Sequence, residues 1–114
     1  MILIYHNQRC SKSREALEII KNSGKEFKIR EYLKDPLTED ELFKLLKKLS
    51  FSPIKLIRKN ESIWKDNFKS LILKDEELIS IMAKNPKLIE RPVVENDQKA
   101  VLGRPISNIA LIVS

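Results

Sequence analysis

The residues of this chain whose types and spacing could do chemistry are concentrated between Tyr5 and Arg14. This stretch contains the only cysteine, Cys10, and the only histidine, His6. A thiolate is a nucleophile and a thiol is not, so the chemistry depends on how far the pKa of Cys10 falls below about 8.5, the value of a free cysteine. The stretch therefore predicts a reactive cysteine if its surroundings favour an anion.

Several neighbours of Cys10 favour the anion. The apolar pattern that follows predicts a helix from Ser11, so the free N–H groups of its first turn and the positive end of its dipole would face the sulfur. The hydroxyls of Ser11 and Ser13 can donate to sulfur, and His6 could act electrostatically or pass protons. Three basic side chains flank the cysteine in sequence: Arg9, Lys12 and Arg14. The alternative is a buried cysteine that acts as a small hydrophobic residue.

Composition narrows the class of protein. The chain has 114 residues and a net charge of +6, which predicts a single domain, residues 1–114, with its own core. A single cysteine excludes an intramolecular disulfide and a cysteine-rich metal site, so we expect no metal and a reducing, cytoplasmic location. No apolar run approaches the roughly 20 residues of a membrane span. Lysines that occur singly along helices predict a solvated face, so we expect neither nucleic acid nor membrane as a partner.

The elements that must position Cys10 begin with a strand at Ile2–Tyr5, an unbroken apolar run. A helix from Ser11 to Asn22 follows, with Gly24 just past its end as a C-cap. Alternating residues 27–32 predict a second strand. Strand, helix and strand form a parallel unit, for which a right-handed crossover is the rule.

A helical insert of about residues 38–86 comes next. Thr38 and Glu41 form a capping box for a helix that reaches Leu49, and Pro53 opens a short helix. Residues 61–73 are expected to be irregular. Asp75 is predicted to cap a further helix.

The last segment has two short apolar runs, 88–94 and 100–102, joined by a polar turn, which predicts an antiparallel hairpin. Gly103-Arg104-Pro105 links it to a final helix over residues 106–113. This order, with a cysteine after the first strand and Pro92 before the third, resembles the thioredoxin-like fold. The resemblance implies an α/β three-layer sandwich with a mixed four-stranded sheet, in which Pro92 is cis.

Four motifs, separated along the chain, together carry a specific resemblance to one protein family. They are Tyr5-His6-Asn7-x-x-Cys10-x-x-Ser13-Arg14, Arg58-Lys59-Asn60, Glu90-Arg91-Pro92-Val93-Val94 and Gly103-Arg104-Pro105. In order and spacing they resemble the glutaredoxin-coupled arsenate reductase family.

The resemblance implies roles for particular residues. Cys10 would attack arsenate, and His6 and Ser13 would help to ionise it. Three arginines would hold the oxyanion: Arg58, Arg91 and Arg104. No cofactor would be bound, because glutathione as co-substrate and a glutaredoxin would supply the electrons. The lack of a second cysteine itself requires an external thiol, since Ser13 stands where a Cys-x-x-Cys partner would be.

Other interpretations stay open at this stage. Arg91 and Arg104 could pair with Glu90 or Glu95 on the surface, and Arg58 could cap the short helix before it. A regulator that binds RNA polymerase, like the Spx proteins, shares the fold but usually carries Cys-x-x-Cys and lacks Gly-Arg-Pro. A monothiol glutaredoxin is a third interpretation. Gln8 replaces the usual proline of the reductases, and the chain resembles compact members without a C-terminal extension.

Overall fold

The computed structural model describes residues 1–114, which fold as two compact units. The first, here called the sheet unit, comprises Met1–Asp35 and Arg91–Ser114, and the second, the helical unit, comprises Pro36–Glu90. That the two form a single domain stays a prediction. No helix in either unit has the length and apolar character needed to cross a membrane.

The sheet unit contains four strands and two α-helices. The strands are β1 (Ile2–Tyr5), β2 (Phe27–Arg30), β3 (Val93–Glu95) and β4 (Ala100–Leu102), and the helices are α1 (Ser11–Asn22) and the short α5 (Ala110–Val113), which a 3₁₀ turn at Ile106–Ile109 precedes. The sheet order is β2-β1-β3-β4; β1 pairs parallel with β2 and antiparallel with β3, and β4 is antiparallel to β3. The predicted α/β fold with a mixed four-stranded sheet is confirmed. Strand β2 ends at Arg30, two residues earlier than predicted.

The register of the sheet explains how distant segments meet. Tyr5, the last residue of β1, pairs with Val93, the first residue of β3. The loop that leaves β1 toward Cys10 and the segment that enters β3 through Arg91 and Pro92 therefore lie at the same end of adjacent strands. Sheet pairing alone brings Arg91 into the neighbourhood of a cysteine 81 positions away in sequence.

One face of the sheet is covered by helices. A buried apolar cluster joins β1, β3, α1 and the C-terminal helical segment; its members are Ile2, Ile4, Ala16, Ile20, Val94, Ile109 and Ile112. Full burial of a valine or isoleucine side chain stabilises the fold by about 1.5–3 kcal/mol. The cluster packs the middle and second half of α1 against β1, and Cys10 lies in the chain between these two elements.

The helical unit contains α2 (Glu39–Leu49), α3 (Ser62–Asn67) and α4 (Asp75–Lys84), with 3₁₀ turns at Pro53–Leu56 and Pro86–Leu88. The capping box predicted at the start of α2 is confirmed: the Thr38 hydroxyl accepts from the Glu41 N–H, and the Glu41 carboxylate accepts from the Thr38 N–H. The expectation of an irregular segment over residues 61–73 was wrong for Ser62–Asn67, where α3 forms and buries Trp64, but residues 68–73 form no helix or strand. Asp75 is the first helical residue of α4; the N-cap is Lys74, whose N–H donates to Glu77.

Candidate active site

Cys10 is the N-cap residue of α1, with an extended backbone at φ −94° and ψ 120°. Its N–H donates to the Asn7 carbonyl at 2.9 Å and its carbonyl accepts from the Arg14 N–H at 3.0 Å, so the backbone on both sides of it is fixed. The residue is 7% exposed. The N–H groups of the first helical turn, which have no partner within the helix, lie beside the sulfur.

The pKa of the Cys10 thiol lies below its ordinary value. Burial is the largest single influence and raises the pKa, but four attractive contributions together outweigh it. They are a hydrogen bond from the backbone N–H of Ser13, a hydrogen bond from the Arg91 side chain, the positive charge of Arg91, and a hydrogen bond from the backbone N–H of Lys12. Each of these stabilises the thiolate rather than the thiol.

Arg91 reaches the sulfur from the segment before β3. The peptide bond between Arg91 and Pro92 is cis. Arg91 is partly buried, and its Nε–H is fully buried without a hydrogen-bond partner. Neither Arg91 nor Arg104 forms an ion pair, so the surface pairing with Glu90 or Glu95 that the sequence allowed does not occur. This Nε–H is shielded from solvent, so an incoming anion could not reach it without a movement of the side chain.

Arg104 lies beside Arg91. Its side chain is exposed, and its Nε donates to the Arg91 carbonyl oxygen at 2.7 Å. The Arg104–Pro105 peptide bond is also cis. Two guanidinium groups thus come from the two segments that flank the β3–β4 hairpin.

His6 and Ser13 form a buried, hydrogen-bonded pair. His6 is 6% exposed and Ser13 is fully buried. The Ser13 Oγ lies 2.6 Å from His6 Nδ1 and accepts from the Asn7 N–H at 3.0 Å. Since that oxygen already accepts from Asn7, its own proton can be donated to the imidazole.

This pairing corrects two details of the sequence analysis. Ser13 acts on the sulfur through its backbone N–H and not through its hydroxyl, which is engaged with His6. Burial lowers the pKa of His6; Glu31 opposes this, and Arg14 and Lys21 add to it. His6 is therefore neutral at pH 7 and does not supply a positive charge.

The three basic residues next to Cys10 in sequence also behave differently from expectation. The side chains of Arg9, Lys12 and Arg14 are not among the groups that lower the pKa of the thiol. Lys12 pairs with Glu15 at 3.6 Å, and Arg14 Nη1 donates to the Gln8 carbonyl at 2.9 Å. The last bond stabilises the loop at Gln8, the position where the resemblance implies a proline.

Arg58 belongs to the helical unit and has carboxylate partners there. Its Nη1 lies 2.5 Å from Glu61 Oε1, and its Nε lies 3.6 Å from Glu90 Oε1. Its N–H donates to the Leu88 carbonyl at 2.7 Å. Two carboxylates thus pair with the Arg58 guanidinium, which by the resemblance would bind an oxyanion.

Two residues of the site were missed from the sequence. Asn7 organises the loop: its carbonyl accepts from Cys10, its N–H donates to Ser13, and its Oδ1 accepts from the Arg9 N–H at 3.1 Å. An asparagine two residues before the loop tip is typical of an Asx turn, so this signal was present. The second is Gly103, whose N–H donates to the Pro92 carbonyl at 2.8 Å. No group of three or more His, Cys, Asp or Glu side chains is placed to hold a metal ion.

Comparison with known proteins places this geometry in a family. A profile of the ArsC family matches residues 5–112. The chain belongs to the ArsC family. The match includes every candidate site residue of the sheet unit, from His6 to Arg104.

Individual relatives of this ArsC-family chain are similar over most of their length. The chain is 42% identical to the uncharacterised protein YfgD of Escherichia coli K12 over 114 residues, which covers 98% of this chain and 96% of that protein. It is 38% identical to an arsenate reductase of Haemophilus influenzae over 106 residues, with 91% of each covered. Among solved structures, an arsenate reductase from Vibrio cholerae has a TM-score of 0.91 at 36% identity, with 97% of this chain and 96% of that chain covered.

Proposed function

We propose that this ArsC-family chain reduces arsenate to arsenite, with Cys10 as the nucleophile. Relatives named arsenate reductase share about 40% of their residues with it over most of the chain. The observation that carries the proposal is the set of donors at the sulfur: two backbone N–H groups and the Arg91 side chain, which together lower the pKa of the thiol. A thiolate held in this way can attack arsenic at neutral pH.

Charge repulsion is the first obstacle to this reaction. Arsenate carries negative charge near neutral pH and so does the thiolate, so their approach needs positive charge already in place. Arg91 and Arg104 supply it in our proposal, because a guanidinium is always protonated and its planar fork matches an oxyanion. An arsenate oxygen would have to meet the terminal Nη groups of Arg91, because its Nε–H is buried away from solvent. Because these donors are fixed before the anion arrives, they act by electrostatic preorganisation.

Arg58, the third arginine that the resemblance assigns to the oxyanion, stays a prediction. Its guanidinium is paired with Glu61 and Glu90, and those bonds would have to open before it could serve an anion. His6 and Ser13 are proposed as positioning residues. Their mutual hydrogen bond holds the turn that directs the Ser13 N–H at the sulfur.

The electrons must come from outside the chain, because it contains one cysteine. Cys10 sulfur forms a bond to arsenic and an arsenate oxygen leaves as water. Two external thiols then supply two electrons and are released as a disulfide, while arsenic leaves as arsenite and Cys10 returns to its thiolate. In net terms, one arsenate and two thiols give one arsenite, one disulfide and one water. We propose glutathione and a glutaredoxin as the thiol donors and the cytoplasm, where thiols are kept reduced, as the location.

A coupled assay tests the proposal. Arsenate-dependent NADPH oxidation is followed with glutathione, glutathione reductase and glutaredoxin. The wild-type protein should give a signal, Cys10→Ser should abolish it, and Ser11→Ala, an exposed neighbour, should retain it. A wild-type protein that supports NADPH oxidation with a small disulfide substrate when glutaredoxin is left out, but never supports it with arsenate, would be a general thiol oxidoreductase, and the proposal would be wrong.

A further inference from the structure

The position of Arg91 is controlled by the chain segment that follows β4. The Gly103 N–H donates to the Pro92 carbonyl at 2.8 Å, and the Arg104 Nε donates to the Arg91 carbonyl at 2.7 Å. Two consecutive residues after β4 thus hold two consecutive carbonyls before β3. The backbone that carries the Arg91 side chain is fixed from outside its own strand.

Gly103 also leaves space for the Pro92 ring. A Cβ atom added to Gly103 would lie 2.8 Å from Pro92 Cγ and 3.0 Å from Ile109 Cδ1. Carbon atoms in ordinary contact are about 3.5–4.0 Å apart, so the Pro92 ring would have to move by about 0.7 Å. Pro92 and Ile109 are both fully buried, and a proline ring has little freedom to rotate away. The backbone of Gly103 does not have a positive φ, so space rather than backbone conformation requires glycine.

We infer that Gly103 is a positioning residue, whose missing side chain lets the Pro92 ring pack against the end of β4 and so holds the Arg91 side chain at the Cys10 sulfur. The inference rests on the proposed function, because it explains how the proposed nucleophile keeps its guanidinium partner. Displacing Pro92 would displace the residue bonded to it. The sulfur would then lose part of its contact with Arg91, while its burial and its backbone donors in α1 would remain.

The test uses Gly103→Ala in the full-length protein and measures alkylation of the single cysteine by iodoacetamide between pH 5 and pH 10. We expect the midpoint of the pH profile to move to higher pH, toward that of Arg91→Ala, so that alkylation below the wild-type midpoint is about threefold to tenfold slower. Ile109→Val is the matched control, since it disturbs the same buried cluster without adding a contact to Pro92. It should lower the thermal unfolding temperature and leave the pH profile unchanged.

A second variant separates packing from positioning. Gly103→Ala combined with Ile109→Val removes the contact with Cδ1 but keeps the closer one with Pro92. This double variant should be more stable than Gly103→Ala and should still alkylate slowly, and it carries the test if the single variant does not fold. A wild-type pH profile in a folded protein carrying Gly103→Ala, alone or in the double variant, would overturn the inference. Because alkylation needs no arsenate, a failed reductase assay would remove the proposed function without deciding this result.

Discussion

Replacing Arg91 by methionine should reduce the reactivity of Cys10 more than replacing any cation adjacent to it in sequence. Arg91 acts on the sulfur twice, by hydrogen bonding and by charge. Two opposite unit charges about 4 Å apart attract by about 1 kcal/mol in water and about 4 kcal/mol at an effective dielectric constant of about 20. Since the site must open to substrate, we take a value near the lower limit, about 1.4 kcal/mol, which is a tenfold change.

The measurement is the second-order rate of alkylation by iodoacetamide at pH 7, with the full pH profile to locate the thiol pKa. In Arg91→Met the midpoint of the pH profile should move about one pH unit higher, and alkylation below the wild-type midpoint should be up to about tenfold slower. Arg91→Lys should fall in between, because it keeps the charge but loses the planar fork. The matched control is Arg9→Met, which removes an exposed guanidinium directly next to Cys10 that does not lower its pKa.

The control should change the rate by less than about twofold, as expected for a solvent-screened charge. Equal losses in Arg91→Met and Arg9→Met would mean that general positive charge around the loop controls the sulfur. No loss in Arg91→Met would remove Arg91 from the site altogether. Either result would refute the reasoning that the sheet brings a specific partner to the cysteine.

Three further predictions follow from the same structure. Ser13→Ala leaves the His6 ring and the Asn7 N–H without their partner and should lower the free energy of unfolding by about 1–3 kcal/mol in urea, whereas the same change at exposed Ser11 should have little effect. Burial lowers the pKa of His6 below 6.5, so the unfolded chain binds more protons than the folded chain just below pH 6.5, and the wild type should lose stability as the pH falls through that range. His6→Asn should lose less stability over the same range. Parallel curves of unfolding free energy against pH for the two proteins would contradict this. Thr38→Ala removes a cap worth about 1 kcal/mol and should speed amide hydrogen exchange in the first turn of α2, while unchanged exchange would show that the cap is unimportant.

The elements that the sequence predicted well are those with a local cause. Helix α1 runs from Ser11 to Asn22 as expected, because its apolar spacing and the glycine after its end are both local signals. The capping box at Thr38 is equally local. The irregular segment predicted at 61–73 failed over Ser62–Asn67, because α3 is a short helix whose buried Trp64 depends on tertiary contacts rather than on a repeating pattern.

The same contrast between local signals and tertiary contacts applies to the residues of the site. Motif order predicted that Arg91 would lie beside Cys10, as it does, but the spacing of charges in sequence suggested that Arg9, Lys12 and Arg14 would act on the sulfur. A side chain next to the cysteine in sequence can point along the helix or into solvent, and here Lys12 and Arg14 have other partners. The need for glycine at 103 could not be predicted either, because it arises from Pro92 and Ile109, which only the folded chain brings together.

The most direct test of the account is the pKa of Cys10 in the unmodified protein, from thiolate absorbance at 240 nm against pH with Cys10→Ser as the blank. We predict a single titration centred below 8.5, the value of a free cysteine, because Ser13, Lys12 and Arg91 all stabilise the anion. A titration at or above that value would mean that burial dominates and that Cys10 is a packing residue.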